Sequence, residues 1–248
     1  MSSKMNRRSV EIDELEKHAS KFVGDEKAKR FTRSIRAVFL WNRYCKQYYK
    51  LAKSSMENLR LLRDDDNLVA GFFSGQDEAV EEAITFAGAM ITSCVHGVHA
   101  VEDNLASALF WGVPGPRKPR CNERNVSLIG LKCHLPNSFE ARIDSYLAVE
   151  DVVYIGKVNN QSKHRYLVNK GWSVDYDDGW IFSWTISGFE RDGVVHETTN
   201  ALNTLRRAFD AQQSLIFDII DLMLELVPEH EASDCESIDT RKMSDLAG

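Results

Sequence analysis

The stretch DEKAKRFTRSIRAVFLWNRYCKQYYKLAKSSMENLRLL, residues 25–62, has no glycine or proline in thirty-eight positions. Its apolar residues Phe31, Ile35, Val38, Phe39, Trp41, Leu51, Met56, Leu59 and Leu62 recur mostly every three or four residues. That period belongs to one face of an α-helix. A helix of this length cannot bury its stripe alone, so the rest of the chain has to supply partners for it. The run Asp64-Asp65-Asp66-Asn67 is read as its end.

The partners can be read outward from there. Before it, Val10, Leu15, Ala19 and Phe22 mark a short leading helix stopped by Gly24, a residue suited to a C-cap. After it, Ser74-Gly75-Gln76-Asp77 forms a turn and an N-cap. A second long helix follows from about Glu78 to Trp111, with Val80, Ile84, Ala87, Ile91, Val95, Val98, Leu105 and Leu109 on its apolar face. Two such helices joined by a short turn make an antiparallel hairpin. Residues 112–136 hold four of the five prolines and are expected to cross the surface as a loop. A third helix begins at Asn137 or Ser138 and runs to Asn160 or His164.

The period then changes to two. Trp180, Phe182, Trp184 and Ile186 alternate with Ile181, Ser183, Thr185 and Ser187, as in a half-buried strand. Asp177-Asp178-Gly179 and Arg191-Asp192-Gly193 are hairpin turns. They predict a three-stranded antiparallel meander at about residues 172–198, whose even-numbered aromatics cover a helix face because hairpins do not stand alone in water. Asn200 caps a last helix, Ala201 to Leu226, ended by Pro228. The expectation is a mainly α protein: a four-helix up-down bundle built on a long helical hairpin, with a β-meander inserted before the last helix. Residues 1–228 form one domain in this reading, and the acidic, Ser-containing 229–248 form a disordered tail.

Composition narrows the function classes. Hydrophobic residues make up 43% and charged residues 27%, ordinary values for a globular protein. No uninterrupted apolar run approaches the roughly 20 residues of a membrane span, and Met1 to Arg8 is polar and basic, unlike a secretory signal. Both points lead to the expectation of a cytoplasmic protein with no membrane partner. The five cysteines are scattered, with no Cys-x-x-Cys pair, which favours reduced thiols. The net charge of −6 hides segregation: the tail carries six acids and two bases, while 117–132 holds five bases against one acid and 157–170 four bases and no acid. Those two segments form either a local basic surface or a pair of solvated loops.

The segment Lys157-Val-Asn-Asn-Gln-Ser-Lys-His164-Arg165 concentrates the chemistry. If the helix continues, Lys157, Asn160 and His164 fall at i, i+3 and i+7, on one face. A histidine exchanges protons near neutral pH, a cation stabilises charge developing on a phosphorus centre, and an amide can orient a 2′-hydroxyl. Such a catalytic set needs no metal and no cofactor. The same residues also suit an ordinary polar helix end, with His164 near the negative end of the helix dipole. Lys163, Arg165, Lys170, Arg117, Arg120 and Arg124 are the candidate RNA contacts. His96, His99, Glu102 and Asp103 share a face of the second long helix. They could ligate a transition metal given ligands from elsewhere, or His99 and Asp103 could pair with each other. Cys121, Cys133 and His134 lack the fourth ligand and the spacing of a zinc site. Trp172, Trp180, Phe182 and Trp184 fit either a base-stacking platform or a buried core. Phosphate-cradling glycine loops, nucleophile elbows and His-Glu-x-x-His pairs are missing.

The long hairpin, followed by a helix ending in Asn160-Gln-Ser-Lys163-His164-Arg165, resembles the HEPN superfamily, in particular HEPN-like bacterial helical proteins with an Asn-x-x-Lys-His-Arg segment before a strand region. In that family's usual motif an arginine and a polar residue precede the histidine; here Lys157 stands where the arginine would be, with six residues between it and His164. The resemblance implies a metal-independent endoribonuclease, or a decayed relative, acting on RNA in bacterial defence or stress. It also implies a homodimer in which the motif faces itself, with His164 as acid and base, Lys157 as cation, Asn160 as orienter, and His99 and Asp103 in support. The alternative is a non-catalytic helical module that binds a protein or nucleic acid.

Overall fold

The computed structural model describes residues 11–62, 64–75, 77–114, 126–164, 170–175, 181–191 and 193–226. The elements in chain order are α1 Glu11–Val23, α2 Asp25–Leu62, α3 Asp65–Ser74, α4 Glu78–Gly112, the single turn α5 Leu128–Leu131 running into a 3-10 turn Lys132–His134, α6 Asn137–Leu147 and α7 Glu150–His164. Five short strands follow, β1 Lys170–Asp175, β2 Ile181–Ile186, β3 Phe189–Arg191, β4 Val194–His196 and β5 Thr199–Asn200, and then α8 Ala201–Glu225. The fold is mainly α, with a small three-stranded antiparallel sheet before the last helix.

The long helices stand where their periodicity put them, but two connections differ from expectation. The acidic run after α2 does not simply end a helix: Asp64 caps α3, accepting the Asn67 amide at 2.9 Å, and Gly75 closes α3 with a left-handed φ of 58°. Short side-chain acceptors favour N-caps over helix interiors, so Asp64 starts a helix instead of opening a loop. The third helix, expected to be continuous, is broken at Ala148 and Val149. There the Val149 amide reaches back only to Tyr146 O, and Glu150 and Asp151 supply a fresh acidic first turn for α7. Negative side chains favour a helix N-terminus, which offsets the break.

The strands also depart from a simple meander. β1 and β2 pair antiparallel in the register Trp172 to Trp184, β5 takes the other edge of β2, and β3 with β4 form a separate two-stranded hairpin. The second predicted strand is interrupted at Ser187 and Gly188. A Cβ on Gly188 would lie 2.9 Å from His196 O, so the close backbone approach at this corner needs glycine.

The chain divides into two compact units, each assembled from separate stretches of sequence. The first draws on Met1–Arg36, Leu105–Arg142 and Ile216–Gly248; the second on Ala37–Asn104 and Ile143–Leu215. In the first, Phe31 is fully buried and packs on Gly112, where an added Cβ would come within 2.4 Å of its ring. Ser34 and Ser107 share a hydrogen bond of 3.2 Å, Arg30 lies 4.6 Å over the Trp111 ring, and Arg36 pairs with Asp13 at 3.0 Å.

In the second unit α2 and α4 run antiparallel. Cys45 faces Cys94, each thiol directed at the other's carbonyl (Sγ to O 3.9 and 3.3 Å). Gly97 makes that approach possible, since a Cβ there would sit 2.4 Å from Cys45 Sγ. α8 is tied to α7 where Arg207 holds Asp151 through two hydrogen bonds of 2.6 and 2.9 Å. The β2 face is as expected: Phe182, Trp184 and Ile186 are buried, and Trp184 donates from Nε1 to Ala52 O at 3.0 Å, seating the sheet on α2. Trp172 stacks on Phe72 of α3 at 4.1 Å. Phe182 and Trp184 are therefore core residues; Trp180 lies outside the described residues. Tyr154 of α7 meets the rings of Phe189 and His196 and donates to Glu197 O at 3.2 Å, which anchors the β3–β4 hairpin.

By length and a mean hydropathy of 1.4, α4 could cross a membrane. Its Val80, Ala87, Ile91, Val95, Val98 and Val101 are buried in the structure, and 39% of its most apolar window is enclosed.

Candidate functional site

α7 carries the residues singled out in the sequence. Its last two turns read Lys157-Val-Asn-Asn-Gln-Ser-Lys-His164. Val158 is fully buried, and Lys157 and Asn160 are half-buried. The helix ends at His164, so Lys157, Asn160 and His164 do occupy i, i+3 and i+7 of one continuous helix. His164 and Lys163 are described by backbone alone, as is Lys170 at the start of β1. Arg165, Arg117, Arg120 and Arg124 lie outside the described residues.

The amides beside Asn160 went unnoticed in the sequence reading. Asn159 and Gln161 are both fully buried, and among the described residues neither the oxygen nor the nitrogen of either side chain has a hydrogen-bond partner. A buried amide left without partners costs about 1–3 kcal/mol, and exceptions of this kind are few in native structures. Two of three consecutive residues are such exceptions. Asn159 falls four residues after the buried Ile155, on the same face of α7.

The second cluster is made of His99, Glu102, Asp103, Tyr146 and Gln212, on α4, α6 and α8, and all five residues belong to the second unit. His99 sits between two carboxylates of its own helix, with Nδ1 3.4 Å from Glu102 Oε2 and Nε2 3.7 Å from Asp103 Oδ2. The predicted pairing of His99 with Asp103 is thus present, and Glu102 joins it. Tyr146 donates its hydroxyl to Glu102 Oε1 at 2.5 Å, a short charge-assisted hydrogen bond. Gln212 donates from Nε2 to Val98 O at 2.8 Å and to the Tyr146 hydroxyl at 3.3 Å. Burial, followed by the Glu102 charge and its hydrogen bond, pushes the Tyr146 phenol well above its ordinary pKa. It remains a donor throughout the neutral range, and the network holds three helices in register. Tyr146 and Gln212 come from distant parts of the sequence. Only Gln212, a polar residue seven positions from the buried Leu205 on an apolar face, gave a hint.

Among the described residues, no group of three or more His, Cys, Asp and Glu side chains, the His99–Glu102–Asp103 cluster included, has an arrangement that could hold a metal ion. Cys133 is exposed, His134 follows it in the 3-10 turn, and Cys121 lies outside the described residues. Burial raises the Cys45 thiol to about 12 and raises Cys94 as well, so both stay protonated at neutral pH and are poor nucleophiles. No protein-family model matches this chain, and comparisons with curated proteins and with solved structures returned no match.

Proposed function

We propose that this chain is an RNA-directed protein of the HEPN-like kind, a metal-independent endoribonuclease or a decayed relative of one, with the C-terminal end of α7 as its RNA-facing edge. The observation that carries this reading is the pair of enclosed, unpartnered amides Asn159 and Gln161 flanking Asn160, between Lys157 and the helix-ending His164. Such groups are costly to enclose, and here both the donor and the acceptor of two amides, four atoms in three residues, lie together at one helix end.

The roles follow from the residue types. His164 takes the proton from a ribose 2′-hydroxyl and returns one to the leaving oxygen. Lys157 offsets the charge that develops on the phosphate, and Asn160 orients the attacking hydroxyl. Lys163, Arg165, Lys170, Arg117, Arg120 and Arg124 hold the RNA backbone by charge. His99 and Asp103 support the site from α4. A homodimer with the motif facing itself, a cytoplasmic location and a part in bacterial defence or stress belong to the same proposal and rest on the family resemblance.

The test is incubation of the wild type and His164→Ala with mixed RNA in EDTA, alongside an RNA-binding titration. Removal of an acid–base group predicts a loss of cleavage of at least about 100-fold with binding retained. Equal cleavage traces from the two proteins would dispose of the enzyme, and absence of RNA binding would dispose of the decayed relative as well. The non-catalytic, partner-binding reading is favoured by a different feature of the second unit. Leu61 and Phe73, both large and apolar, are 83% and 71% exposed, and a partner would have them to cover.

A further inference from the structure

Within the second unit, α2, α4 and α8 leave a cavity of about 160 Å³ between them. Its walls are Cys45, Tyr49, Cys94, Val98, Leu205 and Phe209. Cys45, Cys94, Val98 and Leu205 are buried, whereas Tyr49 and Phe209 are half-buried and mark the open side. The thiols contribute no charge, since both are protonated, so these walls are apolar throughout. Two more residues line the cavity, Lys46 on α2 and Arg206 on α8, and both are exposed. Neither has an ion-pair partner among the described residues. The space is also built to persist. Gly97 draws α2 and α4 together beside it, and Gln212 ties α8 to Val98 O one turn along the same face as Phe209.

Size and polarity together define what fits. An engineered cavity of about 150 Å³ with apolar walls admits one benzene ring. A greasy slot of that size with a few polar groups at its mouth has the usual make-up of a small-molecule site. Two exposed cations border the cavity and favour an anionic head group, which would remain in water while the body enters.

We infer that this cavity binds a small apolar carboxylate, a single-ring aromatic or branched aliphatic acid, with its hydrocarbon body between Cys45, Cys94, Val98 and Phe209 and its carboxylate between Lys46 and Arg206. This inference is independent of the RNA reading and stands if that reading falls. A rigid ligand of about ten heavy atoms is expected to bind with a Kd of roughly 10 µM to 1 mM.

Isothermal titration of the full chain with benzoate, compared with uncharged benzyl alcohol, tests it. Benzoate should saturate one site, and benzyl alcohol should bind at least tenfold more weakly. The double variant Lys46→Glu with Arg206→Glu alters exposed residues only, so the fold should be retained while benzoate binding falls at least tenfold. Val98→Phe should fill the slot and abolish binding of both probes; if that variant fails to fold, the charge variant carries the test. No saturable heat with benzoate, equal affinity for the two probes, or unchanged benzoate binding by the double-charge variant would each overturn the assignment.

Discussion

Replacing Gly97 by alanine probes the closest helix contact of the second unit. The new Cβ would fall 2.4 Å from Cys45 Sγ, whereas the next atoms, on Trp41 and on Cys45 Cβ, stand at 3.8 and 3.9 Å. Ordinary contacts are about 3.5–4 Å, so the whole conflict lies with one sulfur. That sulfur belongs to a side chain only 2% exposed to solvent, and the space open to it is the cavity it lines. Overpacking of this kind costs about 1–3 kcal/mol, and alanine returns about 1 kcal/mol through helix propensity. The net expectation is a loss of about 0–2 kcal/mol. Cys45→Ala alone should cost about 1 kcal/mol for the space it leaves. In that background Gly97→Ala refills the space and should become neutral or stabilising. The two substitutions should therefore couple by about 2 kcal/mol, measured by urea unfolding of the four proteins under reducing conditions. Additivity within about 0.5 kcal/mol would refute the contact as described.

Two further expectations concern the same unit. Alkaline pH should unfold the protein through its buried acids. Burial pushes the Cys45 thiol up from its ordinary value to about 12, so its contribution is complete below about pH 9 and is lost as pH rises toward 12. The raised Cys94 thiol and Tyr146 phenol act in the same sense. Each such group steepens the decline by up to roughly 1.4 kcal/mol per pH unit. Cys45→Ala should flatten the slope between pH 9 and 11 in denaturant titrations, and an unchanged slope would count against the buried, protonated thiol. Tyr146→Phe removes the donor to Glu102 while Gln212 keeps Val98 O. A hydrogen bond to a charged acceptor contributes about 1.5–3 kcal/mol, so a loss near 2 kcal/mol is expected from thermal unfolding, and a loss below 0.5 kcal/mol would mean that the network carries little.

The long helices were legible because their period is local: from Asp25 to Leu62 nothing interrupts it. What escaped was set by competition or by distance. The Asp64–Asn67 run reads equally as an end or as a cap, and its own side-chain geometry made it the start of α3. The break at Ala148–Val149 depends on one carbonyl choosing a nearer partner, which no periodicity records. The meander became a sheet and a separate hairpin because Gly188 allows two backbones to touch. At the site, His99 with Asp103 was legible from spacing on one helix, and so was the face shared by Lys157, Asn160 and His164. The Tyr146–Gln212 network and the cavity beside Cys45 and Cys94 arise from tertiary packing of residues far apart in sequence. The enclosed state of Asn159 and Gln161 depends on what surrounds the end of α7, which spacing alone does not reveal.

The most direct measurement of the central claim is photocrosslinking of the wild-type chain to single-stranded RNA carrying 4-thiouridine, with the attached peptides mapped by mass spectrometry. The α7 reading predicts crosslinks concentrated in peptides covering residues 157–170, and their loss with excess unlabelled RNA. Crosslinks confined to other segments, or none above a non-binding control protein, would contradict it.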